Sequence, residues 1–371
     1  MQMFEGSHDP HMSTAPSTPR LRSAVTSLAP YVAGRRATSA GIAPLASNES
    51  HFPPLPSVLA QVAASAGRIN RYPDSAAVEL RERIAAHVGV TADEVAVGPG
   101  SVGVLQQIIE SVCDAGDEVV FAWRSFEAYP LLVTLAGATP VPVPLTADEG
   151  HDLPAMVAAI TDRTRLVLLC TPNNPTGVTI AGADLDRFLA AVPSDVLVVI
   201  DEAYLEYATG ERLDAIARYR THPNVCVLRT FSKAYGLAGL RVGYGIATPA
   251  VAAALRRTGV PFGVSSIAQA AAIASLDAAD ELAGRVAAVA AERDRVTLAL
   301  RALGYAVPRS QANFVWLRTT DAGREQLLSA FDAADILVRG YAGDGVRVTI
   351  ADAASNDRVI RVLAGLAQAA A

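Results

Sequence analysis

The chain has 371 residues, of which 51% are hydrophobic and 18% are charged. This composition is typical of a folded α/β protein and excludes the disordered and fibrous classes. The formal net charge is −6, and no run of Lys or Arg supplies the positive patch that nucleic-acid or anionic-membrane binding requires. No stretch reaches the run of about 18 apolar residues that spans a membrane. The length favours one large domain and one smaller domain.

The N-terminal region precedes the main pattern of strands and helices. Residues 1–12 (MQMFEGSHDPHM) lack the apolar core of a signal peptide and end at a second methionine, so we interpret them as an added leader. Residues 13–50 then form an N-terminal arm that belongs with the smaller domain. The Pro-rich segment Pro44–Pro56 and the turn Arg71–Asp74 lead from this arm into the large domain.

Between about residues 94 and 250, short Val-, Ile- and Leu-rich runs alternate with amphipathic segments. The runs are EVAV, EVVFAW, TPVPV, RLVLLC, VLVVID, VCVLRT and RVGYGIA. This alternation predicts an α/β fold with a mostly parallel sheet flanked by helices, in a large domain of residues 51–260. Because open α/β sheets bind ligands beyond the carboxyl ends of their strands, we expect the catalytic residues in the loops that follow.

The remainder of the chain has a different pattern. A long Ala/Arg/Glu-rich helical stretch runs from Ser265 to about Leu303, followed by the runs NFVWL, ILVRG and GVRVTI and a terminal helix. This pattern predicts a smaller α+β domain over residues 261–371.

The three cysteines, Cys113, Cys170 and Cys226, show no C-x-x-C spacing. The last two lie in apolar runs that read as buried strands. We therefore interpret the cysteines as core thiols of a protein in the reducing cytoplasm.

One lysine and one aspartate follow apolar strands. Lys233 lies in TFSKAYG, at the end of the run NVCVLRT; a lone lysine there is usually a solvated surface group. Asp201 ends the apolar run DVLVVID, which predicts a buried carboxylate that needs a cationic or hydrogen-bonding partner. The protonated pyridine nitrogen of pyridoxal 5′-phosphate (PLP) is such a partner, and the pair would make PLP an electron sink. The alternative is a carboxylate that caps the following helix.

Two further side chains suit the same cofactor. Asn173, in the turn-rich TPNNPTG, and Tyr204, three residues after Asp201, can each donate a hydrogen bond to the phenolate oxygen of PLP. Taken alone, the first is also compatible with a turn residue and the second with a core aromatic residue.

A phosphate needs several N–H and O–H donors and a fixed positive charge, best supplied at a helix N-terminus. Gly100 and Ser101, in GPGS, lie between a predicted strand and an apolar helix. Ser232 and Arg241 offer a hydroxyl and a guanidinium from the lysine loop. The four residues are candidates for a phosphate site, with Ser101 as a helix N-cap being the alternative.

Three motifs together resemble a known family. The motifs SKAYGLAGLR at Ser232–Arg241, NNPTG at Asn173–Gly177 and DEAY at Asp201–Tyr204 are similar in order and spacing to fold-type-I PLP-dependent aminotransferases of the histidinol-phosphate aminotransferase subfamily. The resemblance extends from about residue 25 to the end of the chain. It implies a large PLP-binding domain and a smaller domain, with Lys233 as the Schiff-base lysine.

The resemblance also implies roles for residues outside these motifs. It implies a homodimer with shared active sites, in which the N-terminal arm takes part in the subunit contact and Tyr72 reaches the cofactor phosphate of the other subunit. Phe126 is expected to stack on the pyridine ring. Asn48, Arg339 and Arg347 are expected to bind the substrate, and two arginines suit an anionic one.

The substrate is open to two interpretations. Arg347, assisted by Arg339, is predicted to hold an α-carboxylate, but the same arginines would hold the phosphate of histidinol phosphate. The run GPGSVGVLQQ lacks the acidic pair usual after the serine in histidinol-phosphate enzymes. Together with WRSFEAY it resembles actinobacterial aromatic amino acid (phenylalanine) aminotransferases. Trp123 and Tyr129 are then either stacking surfaces for an aromatic substrate or core residues.

We therefore predict PLP-dependent transamination of phenylalanine, tyrosine or tryptophan with a 2-oxo acid such as 2-oxoglutarate, without a metal. Histidinol-phosphate aminotransferase activity is the first alternative. A PLP decarboxylase or lyase is the second, because these enzymes share the cofactor-holding residues and differ in substrate orientation. A catalytically silent PLP-binding sensor is disfavoured, because Lys233, Asp201 and Arg347 are all present and no DNA-binding segment is attached.

Overall fold

The structure, a computed structural model, describes residues 19–26, 28, 34–35, 37–39, 41–210 and 212–370. The leader predicted for residues 1–12 lies outside the described residues. The chain divides into two compact units, residues 1–30 and residues 31–371. The described part of the first unit contains one short helix, α1 (Ser23–Thr26). All elements named below belong to the second unit.

The strands in the described residues form three sheets. They are β1 (Ala43–Pro44), β2 (Val95–Gly98), β3 (Glu118–Trp123), β4 (Thr139–Pro144), β5 (Thr164–Cys170), β6 (Leu197–Asp201), β7 (Val225–Thr230), β8 (Gly243–Ile246), β9 (Phe314–Arg318), β10 (Ile336–Leu337), β11 (Arg339–Tyr341) and β12 (Gly345–Thr349). The largest sheet has seven strands in the order β2-β8-β7-β6-β5-β3-β4. Strand β8 is antiparallel to both neighbours and the other pairs are parallel. The predicted mostly parallel sheet is confirmed.

Helices cover both faces of this sheet. The helices of the second unit are α2 (Pro56–Ala66), α3 (Val78–Val88), α4 (Gly100–Val112), α5 (Ala128–Ala136), α6 (Leu153–Ala158), α7 (Gly182–Ala191), α8 (Ala215–Thr221), α9 (Pro249–Thr258), α10 (Ser266–Asp277), α11 (Ala279–Ala302), α12 (Asp321–Ala333) and α13 (Ala353–Ala370). Alternate residues of the central strands pack into two separate cores: Val198 joins one, and Val199 joins the other. Burial on both faces explains why these strands read as continuous apolar runs.

The C-terminal part of the chain differs from its prediction in two places. The predicted long helix is two helices, α10 and α11, because Ala278 adopts a non-helical backbone conformation between them. The run ILVRG is also two strands. Its first half, β10, pairs in parallel with β1 of the N-terminal arm, and its second half, β11, pairs antiparallel with β12.

The second pairing positions two arginines. Arg339 of β11 and Arg347 of β12 are direct partners across the antiparallel ladder. Side chains at such positions leave the same face of the sheet, with Cβ atoms about 5 Å apart. The division of the second unit at residue 260 into large and small domains stays a prediction. No helix among the described residues is both long and apolar enough to span a bilayer.

Candidate active site

A cavity of about 790 Å³ lies where the carboxyl ends of β5, β6 and β7 meet the N-terminus of α4 and the strands β11 and β12. Residues of the N-terminal arm complete its wall. Most of the predicted site residues line it: Asn48, Ser101, Phe126, Asp201, Tyr204, Ser232, Lys233, Arg241, Arg339 and Arg347. The expectation that the catalytic candidates lie beyond the strand ends agrees with this geometry.

Lys233 follows β7 and extends its amine into the cavity wall, where Nζ donates a hydrogen bond to the Ser47 carbonyl at 3.0 Å. Burial, reinforced by the nearby guanidinium of Arg347, lowers the pKa of Lys233 to about 8. At pH 7 about one-tenth of this amine is therefore neutral and nucleophilic, a far larger fraction than for an ordinary lysine. Lys233 is also the only lysine in the 371-residue sequence.

Asp201 ends β6 as a buried carboxylate. Its Oδ2 accepts a hydrogen bond from the Tyr129 hydroxyl at 2.7 Å, and its Oδ1 accepts one from the Ala203 backbone N–H at 3.2 Å. Burial raises the pKa of Asp201 to about 6, and these two hydrogen bonds oppose the rise. The following 3₁₀ helix, Leu205–Tyr207, has Tyr204 as its N-cap, so the alternative in which Asp201 caps a helix is wrong.

The predicted phosphate corner is compact. Gly100 has a φ of +78°, which residues with a side chain rarely adopt, and a Cβ there would collide with the Arg241 guanidinium. Arg241 Nη1 donates to Ser232 Oγ at 3.3 Å and to the Ala238 carbonyl at 2.9 Å. Ser101 is not the N-cap of α4: the helix begins at Gly100, Pro99 is the N-cap, and there is no side-chain cap. The N-cap interpretation of Ser101 is therefore wrong.

Asn48 and Tyr204 lie together beside the lysine. Asn48 Nδ2 donates to the Tyr204 hydroxyl at 2.9 Å, and Asn48 Oδ1 accepts from Thr349 Oγ1 at 3.1 Å. Burial raises the pKa of Tyr204, so its hydroxyl stays protonated and able to donate. The network fixes Asn48, an arm residue, against β12.

The structure separates two adjacent asparagines. Asn173 is completely buried behind the cavity; its Nδ2 donates to the Arg124 carbonyl at 3.2 Å and to Thr176 Oγ1 at 3.1 Å. Asn174 lines the cavity instead, and its Oδ1 accepts from Arg347 Nη1 at 2.6 Å. The geometry thus favours Asn174 over the predicted Asn173 as the amide at the cavity wall.

The two predicted substrate arginines have different partners. Arg347 donates to two neutral acceptors, Asn174 Oδ1 and the Ala46 carbonyl, each at 2.6 Å. Among the described residues, its buried Nε has no hydrogen-bond partner. Arg339, by contrast, forms an ion pair with Glu127, with Nη2 at 2.9 Å from Oε2 and 3.1 Å from Oε1. Only Arg347 therefore keeps an uncompensated positive charge within this pair of arginines.

Tyr72 lies away from this cavity within the chain. It is 83% exposed, stacks on Phe262 at a ring distance of 4.6 Å, and lines a separate cavity of about 660 Å³. The role predicted for Tyr72 requires a second subunit and stays a prediction.

Three residues of the site were missed or misjudged from the sequence. From the sequence, Tyr129 is predicted only as a stacking surface or a core residue. The signal for its contact with Asp201 is that a buried carboxylate needs a hydrogen-bond partner. Glu127 and Asn174 are adjacent to predicted residues, Phe126 and Asn173, and no pattern in the sequence distinguishes them. Among the described residues, no cluster of three or more His, Cys, Asp or Glu side chains is arranged to hold a metal ion.

Comparisons with known proteins agree with this geometry. A family model described as aminotransferase class I and II matches residues 40–363. An aromatic amino acid aminotransferase of Streptomyces avermitilis is 53% identical over 349 residues, which are 93% of this chain and 97% of that protein. The protein of the same name from Rhodococcus jostii is 54% identical over 340 residues, 92% of this chain and 94% of that one. A histidinol-phosphate aminotransferase from Sinorhizobium meliloti, solved with pyridoxal-5′-phosphate, superimposes with a TM-score of 0.87 at 32% identity and covers 96% of this chain and 100% of its own.

Proposed function

This chain belongs to the class I and II aminotransferases, and on that basis we propose that it uses PLP to transfer the amino group of an aromatic amino acid to a 2-oxo acid such as 2-oxoglutarate. The observation that carries the proposal is an amine with a lowered pKa, Lys233, in one cavity with the buried carboxylate Asp201 and the arginine Arg347. We further propose a cytoplasmic homodimer, to which Tyr72 contributes from the other subunit.

The residues present fit PLP. Gly100 leaves no room for a side chain beside the Arg241 guanidinium, and the N-terminus of α4, Ser101, Ser232 and Arg241 together supply backbone, hydroxyl and cationic donors for a phosphate. Asp201, at the end of β6, suits a protonated ring nitrogen. Tyr204 and Asn174 would serve the ring hydroxyl, and Phe126 the ring face.

The chain's own groups can perform the proton transfers of transamination. The cofactor, when bound, supplies an electron sink for the substrate's α-carbon. Lys233 Nζ, once free, takes the α-proton as a general base and later returns a proton as an acid, for which a pKa of about 8 is well matched. Arg347 holds the α-carboxylate and so directs the α-hydrogen toward Lys233. Ionised Asp201 keeps a proton on the ring nitrogen.

An aromatic substrate is supported by the apolar part of the same cavity. Leu131, Leu132 and Tyr341 line it, and such side chains favour an aromatic ring over a charged group. The relatives from Streptomyces avermitilis and Rhodococcus jostii carry the name aromatic amino acid aminotransferase. The similarity to the Sinorhizobium meliloti enzyme supports histidinol phosphate as the second candidate.

A single-turnover experiment distinguishes the two substrates. The PLP form is mixed separately with phenylalanine and with histidinol phosphate, and loss of the cofactor's visible absorbance is followed. Fast loss with phenylalanine alone is expected. Fast loss with histidinol phosphate alone would contradict the proposal and assign Arg339 and Arg347 to a phosphate.

A further inference from the structure

The ion pair between Arg339 and Glu127 lies in the wall of the proposed substrate site. Both residues line the 790 Å³ cavity. Glu127 directly follows Phe126 and precedes α5, whereas Arg339 lies on β11, so the pair joins two elements distant in sequence. Arg339 Nη2 lies 2.9 Å from Oε2 and 3.1 Å from Oε1 of Glu127, and Arg339 Nε lies 3.3 Å from Oε2, so the contact is two-pronged. Both side chains are largely shielded from solvent.

The position of this pair relative to Arg347 determines which part of a substrate it meets. Arg339 and Arg347 are cross-strand partners, and the ring of Tyr341 lies 5.7 Å from each guanidinium carbon. A substrate whose α-carboxylate lies on Arg347 therefore has the Arg339–Glu127 pair within one side-chain length. With the α-carboxylate on Arg347, the pair is within reach of the substrate's side chain.

The charges of the two arginines differ in their effect on an anionic ligand. Among the described residues, no carboxylate forms an ion pair with Arg347, so its charge is available to an anion. The charge of Arg339 is compensated by Glu127. A distal carboxylate or phosphate of a substrate would compete with Glu127 for the same guanidinium and would meet its negative charge, whereas a neutral ring would not.

We propose that Glu127 is a specificity-determining residue that, by pairing with Arg339, selects amino acids with uncharged side chains over those with a distal anionic group. This inference rests on the proposed function, because it takes Arg347 as the α-carboxylate site. It also has a consequence for the acceptor: the distal carboxylate of 2-oxoglutarate must compete with Glu127, so its KM should fall when Glu127 is neutralised.

Equilibrium binding of two unreactive acids tests this inference without turnover. 3-Phenylpropionate and glutarate both carry a carboxylate for Arg347 but no amino group, and they differ in the distal end. Their Kd values are measured by calorimetry on the PLP-loaded protein. Glu127→Gln is expected to strengthen glutarate binding relative to 3-phenylpropionate by about tenfold, which corresponds to about 1.4 kcal/mol.

Three variants define the cause of any change. Glu127→Asp keeps the charge and should keep the wild-type ratio of Kd values. Glu110→Gln makes the same substitution on an exposed part of α4 and should also keep it. The gain of Glu127→Gln should disappear when Arg339→Gln is added, because Glu127 acts through Arg339.

The inference would be overturned if the ratio of the two Kd values in Glu127→Gln stayed within about twofold of the wild-type ratio. It would also be overturned if the gain in glutarate binding persisted in the double variant that lacks Arg339. If Glu127→Gln does not fold, Arg339→Gln alone serves: it leaves an uncompensated carboxylate, so glutarate must bind more weakly than to wild type, and equal binding would overturn the inference. The proposed function is refuted by a different result, namely failure of phenylalanine to convert the wild-type PLP form. The two failures can be told apart because the binding measurement involves no turnover.

Discussion

At the scale of single residues, burial shifts two ionisable groups in opposite directions. It lowers the pKa of Lys233 to about 8 and raises the pKa of Asp201 to about 6. Between these values Asp201 is mostly ionised, while the amine of Lys233 is partly neutral. This is the window in which a carboxylate can hold a ring proton and an amine can act as nucleophile and base.

The pKa of Lys233 predicts how cofactor uptake depends on pH. Only the neutral amine attacks the aldehyde of PLP, so the rate of uptake should rise with pH up to about 8 and then level off. An ordinary lysine, with a pKa of about 10.4, would show a rate still rising beyond pH 9. Stopped-flow absorbance on the PLP-free protein measures this, and a rate that still rises tenfold per pH unit above about pH 9 would contradict it.

The Tyr129 hydroxyl is expected to support Asp201. It donates at 2.7 Å and holds the pKa of Asp201 below the value that burial alone would impose. Tyr129→Phe should therefore move the acidic limb of the pH–rate profile upward by about one unit, since a hydrogen bond to a charged group contributes about 1.5 kcal/mol.

Tyr305→Phe is the matched control for Tyr129→Phe. The Tyr305 hydroxyl donates to the Leu363 carbonyl at 2.9 Å, and neither Tyr305 nor Leu363 lines the cavity. The Tyr305→Phe variant therefore also loses one hydrogen bond, but away from the site. The acidic limb should stay in place in this variant. An equal shift in both variants would show that the effect of Tyr129 is a general loss of stability.

The sequence is sufficient to single out Lys233, Asp201 and Arg241, which line one cavity, because each follows an apolar strand or lies in a distinctive motif. Their roles toward a cofactor stay predictions. It did not distinguish Asn173 from Asn174, because the path of the backbone through the turn decides which amide faces the cavity. The Tyr129–Asp201 contact joins residues 72 positions apart and depends on tertiary packing. The fact that Lys233 is the only lysine was a further signal in the sequence.

At the scale of elements, the N-terminus of α4 depends on Gly100. Its φ of +78° costs a residue with a Cβ about 1 kcal/mol, and the Cβ would also meet the Arg241 guanidinium. Gly100→Ala should therefore weaken PLP binding by at least about tenfold, measured by fluorescence titration. Gly116→Ala is the control, because Gly116 has a φ of +95° but open space around its Cβ. The Gly116→Ala variant should lose stability yet bind PLP as wild type does. Equal weakening of PLP binding in the two variants would refute a specific role for Gly100.

The central strands of the large sheet could be predicted because they are buried on both faces and appear as unbroken apolar runs. The run ILVRG also begins with three apolar residues, but its two halves pair with different strands, β1 and β12. Apolar periodicity contains no information about the partner of a strand. For the same reason the sequence did not show that Arg339 and Arg347 are cross-strand partners.

At the scale of the whole molecule, the proposed homodimer would place Tyr72 at the cofactor phosphate of the other subunit. Tyr72 is 83% exposed and lines a cavity apart from Lys233 in its own chain. Sedimentation equilibrium should give twice the chain mass of 38.6 kDa. Tyr72→Phe should weaken PLP binding about tenfold, as expected for loss of a hydrogen bond to a phosphate. A fully active monomer, or unchanged PLP binding in this variant, would contradict this arrangement.

The central claim is that Lys233 carries the cofactor in an aminotransferase, and borohydride trapping tests it most directly. Because Lys233 is the only lysine, reduction of the PLP-loaded protein should attach close to one pyridoxyl group per chain, on the tryptic peptide Thr230–Arg241. Prior incubation with phenylalanine and no acceptor should abolish the label, because the amino group moves to the cofactor and releases the lysine. A label that persists after phenylalanine, or that lies only on the amino terminus, would contradict the account.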